Sequence, residues 1–149
     1  MPEPPEAAPR GPATFQYAIV RVVPHVERGE AFNAGVVLWS RPRRFIGART
    51  ALDERRLAVF APELSPAEVR VHLDAIEHIA AGDERGGPIA GLTPAERFHW
   101  LVAPSSTLIQ PSEVHPGLSR SRGRPRAPLR DPRRDGSARL AGLAGSSTV

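Results

Sequence analysis

The stretch that decides the fold is residues 14–39, TFQYAIVRVVPHVERGEAFNAGVVLW. Two runs rich in β-branched and aromatic residues, 15–23 and 31–40, are joined by a charged segment, and such runs are typical of β-strands. Pro24 ends the first run because proline cannot donate a ladder hydrogen bond. Gly35 lies inside the second run, where a glycine often marks a bulge or a close backbone approach. The stretch therefore predicts two paired strands.

The segments that follow predict a third strand and then a helix. Residues 45–52 have the composition of a strand, and the short connections between the three strands favour an antiparallel meander. Ser65-Pro66-Ala67-Glu68 has the pattern of a helix N-terminus, and apolar residues recur at helical spacing from Val69 to Ala80. Gly82 is typical of a helix end.

A second capping pattern, Thr93-Pro94-Ala95-Glu96, predicts a single helical turn. We expect two short strands after it, His99 to Ala103 and Thr107 to Gln110. The fold class is therefore α+β, a small antiparallel sheet of three to five strands with one main amphipathic helix packed on it. About 100 residues suffice for one modest hydrophobic core. We place this domain at residues 14–118, between a disordered proline-rich N-terminus, 1–13, and a disordered Arg/Pro/Gly-rich tail, 119–149.

Composition excludes several classes of protein. The 149 residues contain no cysteine, which excludes disulfides, thiolate zinc sites and a cysteine nucleophile. No apolar run reaches the roughly 18 residues that a membrane span needs, and the first residues have no apolar signal-peptide core. We therefore expect a cytoplasmic protein. All 20 basic residues are arginine.

The positive net charge of +4 belongs to the C-terminal segment alone. Residues 1–118 contain 12 Arg and 14 acidic residues, whereas residues 119–149 contain 8 Arg and 2 Asp. Nucleic-acid binding inferred from charge would therefore be non-specific binding by the tail.

The sequence also resembles the family of domains of unknown function 3037, over residues 14–118. The resemblance rests on the block FQYAIVRVVPHVERGEAFNAGVVLW, on RFIGART, and on RFHWLVAPSSTLIQPSEVHPGL. It implies no activity, although relatives encoded beside HipA-like kinase-fold proteins suggest such a protein as a partner. The positions that match the family pattern are Pro24, Arg28, Gly29, Glu30, Asn33, Gly35, Phe98, Trp100, Ser106, Gln110, Ser112, His115 and Gly117.

The chain departs from the family pattern after Leu118. Relatives end in an acidic-proline step and a short amphipathic helix, whereas this chain continues as SRSRGRPRAPLRDPRRDG. A one-base shift in a permissive choice of codons restores a sequence of the family type. We interpret residues 119–149 as a frameshift product. The alternative is a natural disordered basic tail.

The first candidate site comprises His25, Glu27, Arg28, Glu30 and Asn33, around the start of the second strand. A carboxylate beside a guanidinium stays ionised, and the pair can bind an anion. In that interpretation Glu30 could also act as a base. The alternative is structural: Glu30 and Asn33 satisfy amides of the turn and the strand end.

A second candidate is a polar pocket around residues 97–115. No nucleophile-elbow motif accompanies its serines, which argues against a hydrolase. Its members are Arg97, His99, Trp100, Ser105, Ser106, Thr107, Gln110, Ser112 and His115, with Trp100 expected in the core. A third group, His72, Asp74, Glu77 and His78, does not match metal spacing, because helical metal-binding histidines usually lie four residues apart.

These observations predict a non-enzymatic protein-interaction or accessory module, with a HipA-like kinase-fold protein as its suspected partner. The alternative is a small nucleotide- or anion-binding domain, or an enzyme, that uses Arg28, Glu30, Asn33 and His115. We assign no catalytic residue, metal or cofactor. The six candidate binding residues are Arg28, Glu30, Asn33, Gln110, Ser112 and His115.

Overall fold

A five-stranded antiparallel sheet carries three α-helices, as seen in the computed structural model, which describes residues 11–119. The predicted α+β class is confirmed. The elements are β1 (Ala13–Val22), β2 (Phe32–Ser40), β3 (Phe45–Thr50), α1 (Glu54–Phe60), α2 (Pro66–Ala81), α3 (Pro94–Leu101), β4 (Ile109–Pro111) and β5 (His115–Ser119). Short 3₁₀ turns lie at Val26–Arg28, Glu84–Gly86 and Pro88–Gly91.

The central strand of the sheet is β1. It pairs with β2, and β2 pairs with the edge strand β3. The other side of β1 is shared, because β4 pairs with Val20 to Val22 and β5 pairs with Ala13 to Tyr17. Residues far apart in the sequence therefore meet across β1.

A bulge interrupts the pairing of β1 with β2. Val20 lies opposite Gly35, but Arg21 lies opposite Asn33, so Ala34 is the additional residue. A side chain at Gly35 would begin 2.5 Å from the carbonyl oxygen of Arg49. The bulge and the close approach expected near this glycine are both present.

The helices cover one face of the sheet and bury the core. Val20, Val22, Phe32 and Val37 reach this face and pack with apolar side chains of the helices. The opposite face, here called the outer face, consists of the alternate side chains. Those of β1 are Phe15, Tyr17, Ile19 and Arg21, and their cross-strand neighbours on β2 include Val36 and Leu38. Both neighbours are buried but lie outside the main core cluster.

Helix α2 begins and ends where the sequence predicts. Ser65 is its N-cap residue and Pro66 its first residue, while Gly82 follows its end with a left-handed φ of 71°. Helix α1 was not predicted. It has only seven residues and a single buried side chain, Leu57, so no helical periodicity develops in its sequence.

The strand predicted at His99 to Ala103 is wrong. Thr93 and Glu96 form the expected capping box, but the helix continues to Leu101. Phe98 and Leu101, three residues apart, are its buried positions, so the aromatic composition that favours a strand is overridden by helical packing on the sheet. Trp100 points away and is 52% exposed, which corrects its predicted place in the core.

The sheet extends slightly beyond the range predicted for the domain. Ala13 pairs with Ser119, so the sheet includes one residue more at each end than the range 14–118. The last strand predicted, Thr107 to Gln110, overlaps β4, which spans Ile109–Pro111, and β5 was not predicted. The disordered ends and the frameshift were predicted for segments that, beyond these few residues, lie outside residues 11–119.

Candidate binding surface

Two of the six predicted binding residues, Asn33 and Gln110, come together at the central strand. Asn33 lies opposite Arg21 on one side of β1, and Gln110 lies opposite Arg21 on the other side. The neighbouring strands β2, β1 and β4 therefore present polar side chains in one row across the outer face. We call Asn33, Arg21 and Gln110 the polar row.

The two flanking amides of the polar row differ in their contacts. Asn33 is exposed, and its side chain makes no hydrogen bond to any other residue of the range 11–119. Gln110 is half-buried, and its Nε2 donates to the carbonyl oxygen of Thr107 at 3.0 Å. One amide is thus held in place while the other is available to a ligand.

Ser112 has a structural role that its sequence position does not reveal. Its hydroxyl oxygen accepts a hydrogen bond from the amide of Ile19 at 2.9 Å and donates to the carbonyl oxygen of Glu113 at 2.8 Å. Its own amide donates to the carbonyl oxygen of Ile19 at 2.8 Å. The serine therefore continues the pairing of β4 with β1.

His115 lies further along the same face. It pairs with Tyr17 in the sheet, and the centroids of the two rings are 5.4 Å apart. Tyr17 is four residues from Arg21, which corresponds to about 13 Å along a strand. His115 and the polar row therefore belong to one surface but not to one small pocket.

Arg28 and Glu30 lie in the loop between β1 and β2 and do not form the expected ion pair. Arg28 is exposed, Glu30 is half-buried, and neither side chain contacts an oppositely charged group within residues 11–119. His25 instead places its Nε2 2.8 Å from a carboxylate oxygen of Glu63, which joins this loop to the segment before α2.

Arg21 is the residue that the sequence-based site prediction missed. Its Nη2 donates to the carbonyl oxygen of Pro111 at 3.1 Å, and its buried Nε has no hydrogen-bond partner. A buried polar atom without a partner is uncommon in folded proteins. One indication of this residue was present in the sequence. Arg21 lies between Ile19 and Val23 on one face of the predicted strand, and the other side chains of that face are apolar or aromatic.

Several other candidates have structural roles. Arg97 donates to three carbonyl oxygens, those of Ile79 at 3.0 Å, Ala80 at 2.7 Å and Leu92 at 3.1 Å. His99 lies within hydrogen-bonding distance of the carbonyl oxygen of Ala95, with Nδ1 at 2.7 Å. The hydroxyls of Ser105 and Thr107 contact each other and the carbonyl of Ile109, all within the loop.

The histidines of α2 do not form a metal site. Within residues 11–119, no group of three or more His, Cys, Asp or Glu side chains could hold a metal ion. A solvent-open depression of about 430 Å³ lies beside the end of α2. It is lined by Asp74, Glu77, His78, Ala81, Asp83 and Arg85.

The strands carry positive charge only. The five strands contain no Asp or Glu, and Arg21 and Arg49 are both on the outer face. The carboxyl groups whose pKa is lowered lie at the start of a helix or of a turn. Hydrogen bonds from Thr93 lower the pKa of Glu96, and the guanidinium of Arg85 holds the pKa of Asp83 well below its usual range.

No helix among residues 11–119 is long and apolar enough to cross a membrane. A model of the DUF3037 family, described as a protein of unknown function, matches residues 17–128. The chain is a member of the DUF3037 family. The resemblance seen in the sequence is thus confirmed. The match runs to residue 128, ten residues past Leu118, where the departure from the family pattern was expected to begin, so that departure and the frameshift stay predictions. No curated protein and no solved structure matches this DUF3037 chain.

Proposed function

We propose that this DUF3037 protein is a non-enzymatic interaction module that binds a protein partner in the cytoplasm through the outer face of its sheet. The polar row is the observation that carries the proposal. Three strands bring Asn33, Arg21 and Gln110 into register on the outer face, where Asn33 is exposed and the other two are half-buried. The half-buried rings of Phe15 and Tyr17 lie on the same face. Arginine and aromatic side chains are enriched in interfaces between proteins.

The arrangement favours this interpretation over a small-molecule enzyme. His115 is about 13 Å along the strand from the polar row, and the hydroxyl of Ser112 is engaged by the amide of Ile19. Arg28 and Glu30 lie in a loop and contact no oppositely charged group within residues 11–119. A protein partner can span such separations, whereas a small substrate needs groups that converge.

A HipA-like kinase-fold protein is the partner to test first, because the resemblance suggests it. The two proteins would be co-expressed and analysed by size-exclusion chromatography with light scattering. We expect the two proteins to form a complex. The double variant Asn33→Ala with Gln110→Ala should bind the partner at least tenfold more weakly. The matched control is His72→Ala with Asp74→Ala, two exposed residues of α2 on the opposite side of the sheet.

Two results would overturn the proposal. One is a complex that survives the outer-face variant but not the α2 control. The other is no complex together with a thermal shift caused by a nucleotide, which would favour the small nucleotide- or anion-binding alternative. A ligand that binds only the folded state stabilises it by about 2.7 kcal/mol at a concentration 100 times its Kd.

A further inference from the structure

We propose that Arg21 is the anchor of this surface and that the partner presents to it an ionised carboxylate, the side chain of an Asp or Glu within an apolar segment. This inference rests on the proposed function, because it names the chemistry of the partner at the same face. It follows from the contacts of Arg21, from its flanking amides and from the charges around it.

The contacts of Arg21 leave most of its hydrogen-bonding capacity unused. The guanidinium has five N–H donors, and its only hydrogen bond within residues 11–119 joins Nη2 to the carbonyl oxygen of Pro111. The buried Nε is unpaired, and leaving a buried donor unpaired costs free energy. Nη1 and the second N–H of Nη2 also have no partner within residues 11–119, and together they form a fork that a carboxylate can bind.

The neighbours of Arg21 also favour an acceptor. The amide of Asn33 is exposed and unengaged by other residues of the range 11–119, while Gln110 uses its Nε2 to donate to Thr107. Both can donate a hydrogen bond to a ligand that contacts the guanidinium. A carboxylate accepts hydrogen bonds only, and it matches the fork of an arginine in a bidentate pair.

The charge pattern indicates that the carboxylate comes from outside residues 11–119. No strand carries an acidic residue, and Arg21 forms no ion pair with any residue of that range. Arg49 adds a second exposed positive charge on the outer face, opposite Val36. A partner with one or two acidic residues therefore complements this face.

The surroundings of the row favour a protein over a nucleic acid. Ile19, which is half-buried, and Val36, which is buried, separate Arg21 from Arg49, so the described part of the outer face has no continuous track of cations for phosphates. The rings of Phe15 and Tyr17 lie 6.0 Å apart at a tilt of 38° and are half-buried, so they do not form an open platform for bases.

The test is NMR of the full chain, observing the Nε–H signal of Arg21 and the side-chain amides of Asn33 and Gln110. The probes are N-acetylglutamate N-methylamide, its glutamine counterpart and inorganic phosphate, titrated at constant ionic strength. We expect saturable shifts at all three residues with the glutamate probe and at least fivefold smaller shifts with the glutamine probe.

Variants distinguish the role of Arg21 from that of the rest of the outer face. Arg21→Gln should remove the shifts at Asn33 and Gln110, and Arg21→Lys, which keeps the charge but loses the fork, should weaken them. Arg49→Gln should leave them in place. Circular dichroism and denaturation establish that each variant folds, and the titration of the unaltered chain does not depend on them.

The inference is overturned if the glutamate probe gives no saturable shift at Arg21, or if phosphate gives the larger one. In the complex with the kinase-fold protein, Arg21→Gln should weaken binding at least tenfold. If Arg21→Gln does not weaken the complex but Asn33→Ala with Gln110→Ala does, Arg21 is not the anchor. The outer face then remains the interaction surface. If no outer-face variant weakens the complex, the proposed function fails as well.

Discussion

Glu77 accepts two hydrogen bonds from Thr50, one from the backbone amide at 2.6 Å and one from the hydroxyl at 2.7 Å. This contact joins the C-terminal part of α2 to the end of the edge strand β3. The carboxylate also accepts from the backbone amide of Thr50, which does not bond to β2. An unpaired amide on an edge strand is a template for association.

Glu77→Ala is therefore expected to reduce the free energy of unfolding by about 1–3 kcal/mol, because the amide of Thr50 loses its acceptor. Glu77→Gln, which keeps one acceptor oxygen, should lose less. Urea denaturation measures both. Asp74→Ala on the same helix is the control, and an equal loss from this exposed site would show that the effect belongs to the helix rather than to the contact.

Arg97 supports a second prediction. Its guanidinium binds carbonyl oxygens of Ile79 and Ala80 at the end of α2 and its Nε binds that of Leu92. Arg97→Ala should cost about 2 kcal/mol, since these bonds involve a charged donor. Arg55→Ala, at an exposed position of α1, should change stability by less than about 0.5 kcal/mol. Equal effects from the two variants would contradict the prediction.

Strand periodicity and helix caps made much of the fold predictable from sequence. The strands around Gly35 and the ends of α2 are local features, because a bulge, a capping residue and a left-handed glycine each act over a few residues. The end of α3 was predicted as a strand because its composition favours a strand. Its apolar side chains, Phe98 among them, instead serve helical packing on the sheet. Phe98 stacks on Trp39 of β2, with ring centroids 5.5 Å apart.

The candidate surface was predictable only in part, for a related reason. Asn33, Gln110 and His115 were identified by residue type and by the family pattern. Their meeting point, Arg21, depends on the register of β4 against β1, across about 90 residues of chain. Nothing local in the sequence specifies that register, so Arg21 was not among the predicted site residues.

Ser112 gives the clearest separation of structure from binding. Ser112→Ala removes the acceptor of the Ile19 amide, and a loss of about 1 kcal/mol in unfolding free energy is expected. Ser106→Ala, in the exposed loop before β4, is the matched serine control and should be nearly neutral. If Ser112→Ala leaves stability unchanged but abolishes partner binding, its hydroxyl contacts the partner instead.

The capping box of α3 should make stability depend on pH. The bonds from Thr93 lower the pKa of Glu96 below its ordinary 4.5, so the ionised form stabilises the folded state. That contribution is complete above the ordinary pKa and is lost as the pH falls through the lower folded value. NMR titration of the Glu96 carboxyl should give a midpoint below 4.5.

Glu96→Gln should therefore be less stable than the parent at neutral pH, and the difference should shrink as the pH falls below the ordinary pKa of 4.5. Glu68→Gln is the matched control, because Ser65 occupies the same cap position of α2 but makes no side-chain cap bond. A difference that stays constant with pH would contradict the account.

Glu30 and Asn33 allow the two interpretations of the loop to be separated. If they cap the strand end, Glu30→Gln with Asn33→Ala should cost about 1–3 kcal/mol of stability. Neither side chain makes a hydrogen bond within residues 11–119, so we expect a change below about 0.5 kcal/mol, together with loss of partner binding.

The control for that pair is Glu68→Gln with His72→Ala, which changes the same number of exposed polar groups on α2. Denaturation and the binding assay would be run side by side on both double variants. A large loss of stability with binding retained would assign Glu30 and Asn33 to the fold. Arg21 and Gln110 stay in place in this double variant, so residual binding is attributed to the rest of the outer face.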